Sequence, residues 1–396
     1  MHFRCDPGAS APKYKQDTSR RGVMFDRYPF TPFPEGWFFV AHERELARDQ
    51  LLSRQFLGQD IVAYRDRRGV ARVFDAYCPH LGAHLGKTGR LEGDALKCRF
   101  HGFHFNGDGL CVRTPCGKPS RSLALRSWPV DEVNGFVFAY HRRPGHEPAW
   151  RIPRLDPGGF VPVATRRLSI RSHPQEMSEN SVDTAHFAEV HGFRRLQVIE
   201  GMRWEGPHLT AAYSIERPLF GGLRSPLRIA FRLHKWGLGY SLAEIDFAEH
   251  GLVGRQFVFP TPVDGEHVDV QLAVTVARTA GRDGDALGRR KGGRLVASLA
   301  RELLIRAFVA EWRKDAPFWE TKRYLARPGL DRSDGPVGEF RRYCRQFYPR
   351  LPLAEPSGRQ RRRAGELPPG IREPPAQSRS IDPPATGTFD SSGLVR

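Results

Sequence analysis

The chain predicts an α+β fold in two folded units: a small antiparallel β domain, then a larger domain of long strands and helices. Three observations carry this. Between about Trp37 and Arg142, short apolar runs alternate with Gly, Asp and Pro, the signature of short strands joined by turns. From His267 to Arg278, Val268, Val270, Leu272, Val274 and Val276 alternate with Asp269, Gln271, Ala273, Thr275 and Ala277, the period of two of a strand. Over residues 293–315, Leu295, Leu299, Leu303, Ala307 and Ala310 recur at spacings of three or four, the stripe of a helix. With 396 residues, 39% of them hydrophobic, the chain is long enough to bury two cores.

In chain order, residues 1–22 are polar and aperiodic and are expected to form a disordered extension. The first domain is assigned to 23–145. Its hairpin signals are Asp66-Arg-Arg-Gly69, between IVAYR and VARVFD, and Asn106-Gly-Asp-Gly109. Residues 143–165 are rich in Pro and Gly and read as a linker into a second domain over 146–350. That domain opens with a helical stretch around Gln175–Val190, and Pro317 is expected to end or kink its last helix. Residues 351–396, Pro-rich and carrying Arg361-Arg-Arg363, are expected to be a disordered basic tail.

Composition excludes several functions. No apolar run approaches the length of a membrane-spanning helix, and the first residues lack the apolar core of a signal peptide. Six Cys are too few for a disulfide scaffold, so a reducing, cytoplasmic setting is expected, with Cys5, Cys111, Cys116 and Cys344 as plain thiols. The net charge is +18; segments 1–22 and 356–396 carry three each, leaving twelve between. No nucleic-acid motif accompanies that charge, and a basic face suits an acidic protein partner better than nucleic acid.

The strongest signal is Cys78-Pro-His80-Leu-Gly82 followed by Cys98-Arg-Phe-His101-Gly102. Each box pairs one Cys with one His. A cluster of two irons and two sulfides needs four protein ligands, two thiolates and two imidazoles, if two loops are to grip it from opposite sides. A structural zinc site more often places both Cys in one box and both His in the other. The pattern resembles the Rieske family. Ala83 and Phe100 stand where respiratory members carry an extra Cys, so the resemblance is to the oxygenase and ferredoxin kind. Arg99 and Phe103 replace a Pro and a Trp usual in the second box.

The second signal is Glu179-Asn180-Ser-Val-Asp183-Thr-Ala-His186-Phe-Ala-Glu-Val-His191. Two His plus a carboxylate form the facial triad of non-haem Fe(II) oxygenases. Residues five apart lie about 140° round an ideal helix, so both His can face one metal only if the helix widens or ends between them. On their own these two His are better read as solvated or core histidines. As a whole, N-x-x-D-x2-H-x4-H resembles the signature of Rieske oxygenase α subunits. The resemblance makes His186 and His191 ligands of a mononuclear Fe(II) and Asp183 the bridge from His186 to a cluster ligand, His101, of a neighbouring subunit. It places Asn180 near the iron. For the third ligand the choice is Asp315, at the end of an apolar helix in a segment, D-x-x-F-W-x-x-K, similar to that of the steroid-active branch; Glu311 and Glu320 are runners-up.

Over roughly 28–325 the chain is most similar to the 3-ketosteroid 9α-hydroxylase and sterol 7-desaturase branch. The resemblance implies a Rieske [2Fe-2S] domain followed by a helix-grip (START-like) catalytic domain and a homotrimer. It further implies electrons from an NAD(P)H-dependent flavin/iron–sulfur reductase or a ferredoxin, and use of O2 to hydroxylate or desaturate a hydrophobic, steroid-like or other polycyclic substrate. Phe220, Leu223, Leu227, Phe231, Leu233, Trp236, Tyr240 and Phe257 are candidate pocket walls. Alternatives are an aromatic ring-hydroxylating oxygenase, a Rieske electron-transfer protein without oxygenase activity, and a binding protein that has lost its metals.

Overall fold

The computed structural model describes residues 27–348 apart from 118, 120, 121, 143–145, 218–226, 248, 249, 280–290 and 332. The expected extension at 1–22 and the tail at 351–396 lie outside the described residues, as do Phe220, Leu223 and Cys5.

The first half is antiparallel throughout. It runs β1 (Gly36–His42), β2 (Leu52–Phe56), β3 (Gln59–Arg65), β4 (Ala71–Asp75), a one-turn α1 (Leu85–Thr88), β5 (Gly89–Glu92), β6 (Ala95–Cys98), β7 (His104–Phe105), β8 (Cys111–Arg113), β9 (Val130–Val133) and β10 (Phe136–His141). These form three small sheets, β1-β10-β9, β2-β3-β4 and β5-β6-β7-β8. Both expected hairpins are present. Asp66 Oδ1 accepts from the Val70 amide at 2.9 Å, closing the turn between β3 and β4. Asn106 Oδ1 accepts from the Asp108 and Leu110 amides between β7 and β8. Asp and Asn serve here because a short acceptor can bond its own backbone a few residues on.

The second half is built on one sheet of seven strands. They are β11 (Ala164–Arg171), β12 (Arg194–Glu205), β13 (His208–Arg217), β14 (Leu227–Trp236), β15 (Tyr240–Phe247), β16 (Leu252–Pro262) and β17 (His267–Arg278), in the order β11-β17-β16-β15-β14-β13-β12. Every neighbouring pair is antiparallel. Between β11 and β12 lie α2 (Pro174–Glu179) and α3 (Ala185–Glu189); after β17 come α4 (Lys291–Thr321) and α5 (Val337–Cys344). Strand alternation then serves two packings. On one face Val268, Val270, Leu272, Val274 and Val276 meet α4 residues including Ala297, Ile305 and Trp319. On the other, Tyr240, Leu242, Phe257 and Phe259 meet Trp37, Phe39, Phe136 and Phe138 of the first half. The β15–β17 part of the large sheet is thus covered on both sides, whereas edge strand β12 is largely exposed.

Four expectations need correction. The helical stretch at 175–190 is two short helices, broken over residues 180–184. Pro317 does not end α4, which continues to Thr321. A proline removes one N–H, and the final turn is held by the buried Trp319 and by the Lys322 amide donating to the Phe318 carbonyl at 2.8 Å. The expected apolar stripe is also the wrong one: Leu295, Leu299 and Leu303 are 63%, 60% and 68% exposed. The stripe with Leu304, Ile305, Phe308, Trp312 and Trp319 buries more area and takes the sheet side. Cys111 and Cys344 are free and buried, but Cys116 is disulfide-bonded, against the expectation of a plain thiol. Sequence spacing alone does not report which sulfurs meet in space.

Candidate active site

The two Cys–His boxes fold into matching loops. In the first, the Gly82 amide donates to the Cys78 carbonyl and the Cys78 amide to the Ala83 carbonyl; in the second, Gly102 donates to Cys98 and Cys98 to Phe103, all at 2.8–2.9 Å. Gly82 and Gly102 have φ of 71° and 70°, the left-handed region where a Cβ is strained. At Gly82 nothing lies within 4 Å of an added Cβ, so backbone conformation, not space, calls for glycine there. Cys78 and Cys98 are buried at the loop bases, whereas His80 is exposed and His101 half-buried at the tip. The two imidazoles meet edge to face with centroids 4.8 Å apart, and Phe103 stacks on His80 at 4.4 Å. Burial, with Cys98 close by, pushes the Cys78 thiol up to about 12 despite hydrogen bonds from the His80 and Leu81 amides. A thiolate there needs a cation beside it. His101 Nδ1 is buried and has no hydrogen-bond partner among the described residues. The donor set, two buried sulfurs and two imidazoles that meet at the loop tips, fits a [2Fe-2S] cluster.

In the second half, the chain leaves α3 just before His191. The Gly192 amide donates to the Ala188 carbonyl at 3.0 Å, and Gly192 at φ 68° swings the chain out of the helix. That early end lets His186 and His191 face one point although they are five apart; their rings lie 5.1 Å apart. Asp315 reaches the same point from α4, and donor atoms of His186, His191 and Asp315 all lie within 4.8 Å of one another.

The ring nitrogens of both His are assigned by their partners. His186 Nδ1 lies 2.6 Å from the Asp183 carbonyl oxygen, which can only accept, so Nδ1 carries the proton. His191 Nδ1 lies 2.9 Å from Glu311 Oε2. Both Nε2 atoms are then left to face Asp315. His191 Nε2 is 3.4 Å from Asp315 Oδ1, an ion-pair distance rather than a hydrogen bond, and that oxygen is buried with no hydrogen-bond partner among the described residues. Burial works against a charge on His191, yet Asp315 and Glu311 lift it to about 9. Burial lowers His186 and raises Asp183. Glu311, also raised by burial, is held at about 2 by His191, Lys314 and Arg217. The two carboxylates therefore demand a cation, and with no metal His191 supplies it as an imidazolium. Two imidazoles, one orphaned carboxylate oxygen and that negative field fit a divalent iron, which would take the place of the proton on His191.

These donors open on a cavity of about 240 Å³ between the sheet and α4, walled mainly by apolar side chains including Met177, Phe187, Ile229, Phe231, Leu233 and Ile245.

Two family models match the chain. The Rieske [2Fe-2S] domain spans residues 36–129, and the 3-ketosteroid 9alpha-hydroxylase C-terminal domain spans 139–348, more than half of the sequence. The chain belongs to the Rieske oxygenases that carry this C-terminal domain. Among relatives, a cholesterol 7-desaturase from Bombyx mori is 30% identical over 332 residues, covering 80% of this chain and 70% of that protein. The oxygenase component of a 3-ketosteroid-9-alpha-monooxygenase from Mycolicibacterium smegmatis is 26% identical, covering 83% and 84%. In fold, the chain is similar to dicamba monooxygenase bound to dicamba, with a TM-score of 0.56 at 21% identity over 79% of this chain and 96% of that one. It is also similar to the terminal oxygenase of carbazole 1,9a-dioxygenase from Novosphingobium, with a TM-score of 0.55 at 19% identity over 80% and 93%.

As a Rieske oxygenase the chain is an oxidoreductase, and such a component draws on a separate electron-transfer partner. Of the residues expected at its centre, the fold brings together His186, His191 and Asp315. Asn180 lines the cavity beside them. Asp183 precedes α3, with Oδ1 accepting from the Ala185 and His186 amides. Glu320 is exposed and outside the group. Glu311 is not in the donor group but holds His191 from behind, itself gripped by Arg217 at 2.6 Å. Sequence reasoning missed that role because it treated every nearby acid only as a rival ligand. Of the expected pocket walls, Phe231 and Leu233 line the cavity. Trp236, Tyr240 and Phe257 point to the opposite face, against the first half, and Leu227 is not among the lining residues. Strand parity separates the two sets, and the register was not legible from single strands.

Proposed function

We propose that this chain is the terminal oxygenase component of a system that hydroxylates or desaturates a steroid-like or other polycyclic substrate. In this reading Cys78, His80, Cys98 and His101 hold the [2Fe-2S] cluster, and His186, His191 and Asp315 hold a mononuclear Fe(II). The observation that carries it is the convergence of those last three donors inside a largely apolar cavity. Bound there, the metal groups supply single-electron transfer and activation of O2. The chain's own residues do the rest. Phe187, Phe231 and Leu233 exclude water from the reacting end, and Asn180 adds one polar contact beside it. Asp183 fixes the proton on His186 Nδ1 through its carbonyl, while its carboxylate oxygen, 3.9 Å from that nitrogen, stays partly open to solvent.

That opening suits a bridge to His101 of a second copy, which makes a homotrimer the assembly expected. The substrates named for the two relatives, cholesterol and a 3-ketosteroid, support the steroid reading. The electron donor is taken to be an NAD(P)H-dependent flavin/iron–sulfur reductase or a ferredoxin. The reading keeps the protein in the cytoplasm; among the described residues no helix is long and apolar enough to cross a membrane.

The test is iron and acid-labile sulfide content, followed by substrate-dependent O2 consumption with a steroid and aromatic panel and a generic reductase. About three irons per chain with steroid-coupled O2 uptake is expected; about two irons and no uptake would mark an electron-transfer protein instead. Asp183→Asn should keep both metals and lose at least ~100-fold in turnover, as for loss of an oriented outer-shell partner. Full activity in that variant would remove Asp183 from the route.

A further inference from the structure

The cavity has a second polar end, away from the His and carboxylate donors. Lys235 lies on β14 and lines the cavity with Ser241 of β15, its cross-strand neighbour. Lys235 is only 4% exposed. Among the described residues its Nζ has one hydrogen-bond partner, Ser241 Oγ at 3.3 Å. Among the described residues no carboxylate is paired with it. Burial lowers the amine to about 8, opposed only by the sulfur of Cys344. An ammonium has three donors, and one used bond leaves two aimed into apolar surroundings that include Leu233. A buried cation without a partner is costly, and an acceptor oxygen brought in by a ligand would offset that cost.

Position strengthens the argument. Ile229, Phe231, Leu233 and Lys235 share one face of β14 and all line the cavity. The Phe231 ring lies 6.5 Å from that of Phe187, which in turn packs on His186 at 4.6 Å. Lys235 is four residues further along the strand, about 13 Å at the rise of an extended chain. That rise from Phe231 to Lys235 is on the length scale of a rigid molecule of several fused rings.

We propose that Lys235 and Ser241 form the recognition site for an acceptor oxygen, a carbonyl or a carboxylate, at the end of the substrate farthest from the His186, His191 and Asp315 centre. The proposal rests on the oxygenase reading for the orientation of the substrate, but it concerns binding. The substrate class narrows from apolar polycycles in general to those ending in C=O or COO⁻.

The experiment uses the metal-loaded enzyme and three probes: androstane, its ring ketone and its ring carboxylate. Equilibrium binding of each is measured for the wild type, Lys235→Met and Ser241→Ala, with iron and sulfide content confirming that every variant is folded and loaded. The wild type should bind the ketone or the carboxylate at least ~10-fold more tightly than androstane, as for a hydrogen bond to a charged group. Whichever gains more identifies the acceptor. Lys235→Met should shrink that ratio to within about twofold while still binding androstane, and Ser241→Ala should reduce it part-way. A general packing defect would weaken all three probes alike and leave the ratio standing, which overturns the proposal. A wild type with no preference, or with no binding of any probe, overturns it as well. Oxidation of all three probes without preference would leave the oxygenase reading intact and remove the anchor. A Lys235-dependent preference with no oxidation of any probe would do the reverse.

Discussion

The two candidate metal sites are built by opposite means. The Cys78–Gly82 and Cys98–Gly102 loops are local: each offers its ligand types within five residues, closes on its own backbone and ends in a left-handed glycine. Their histidines lie at the surface, flanked by Leu81 and Phe100, which are 65% and 62% exposed. The His186, His191 and Asp315 group is assembled across more than a hundred residues and sits inside the domain, stabilised by a second layer of Glu311, Arg217 and Lys314. A surface cluster can meet an electron donor and needs few supports. A buried, open-sided metal must be kept from water and therefore needs both a wall and a charge balance.

The largest effects should come from removing one ligand on each side. Cys78→Ser should abolish the cluster spectrum yet leave about one iron per chain, whereas Asp315→Ala should keep the cluster and lose only the mononuclear iron. Each should lower turnover by ~1000-fold or more, the scale on which a required catalytic group acts. If either variant lost all its iron, the two regions would not be independent. Next comes Glu311→Gln, which keeps an acceptor for His191 Nδ1 and removes the charge. Mononuclear iron affinity should fall ~10- to 100-fold, read by chelator competition, with the cluster untouched. An unchanged affinity would show that orientation alone matters.

The smallest effect concerns acid stability on the buried side. His173 caps α2, accepting from the Gln175 amide through Nδ1 and donating through Nε2 to the Thr31 carbonyl. Burial lowers it to about 3 against its usual 6.5. Below pH 6.5 the unfolded chain takes up a proton that the folded chain refuses. Stability should therefore fall as pH drops from 6.5 toward 3, by up to ~1.4 kcal/mol per unit from this group. Denaturant melts at pH 7 and 5 should show a shallower loss in His173→Asn, which can still cap the helix. An identical slope in that variant would assign the acid sensitivity elsewhere.

Much of this was legible in advance, for reasons visible in particular residues. Paired Cys and His at short spacing announce themselves, because one loop must supply both ligand types. The strand His267–Arg278 was read to its ends because one face is uniformly branched and apolar. Asp315 could be chosen because an apolar helix carries it to the sheet, although that helix runs on to Thr321 instead of ending beside it. What stayed hidden depends on which of two apolar stripes a helix buries, as at Leu295 against Leu304, and on which face a strand residue takes, as at Tyr240 against Ser241. Lys235 was invisible for a related reason: nothing local distinguishes a buried lysine from the solvated majority.

The sheet carries two tenants on alternate residues. Odd positions of β15 wall the cavity while even ones seat the first domain; on β16 the parity is reversed. A one-residue insertion within either strand would exchange the two sets downstream of it, unseating one domain and refilling the chamber in the same event. Substrate range in this protein can therefore drift by substitution along these strands, but not by insertion or deletion. Length variation among its descendants should be confined to the turns.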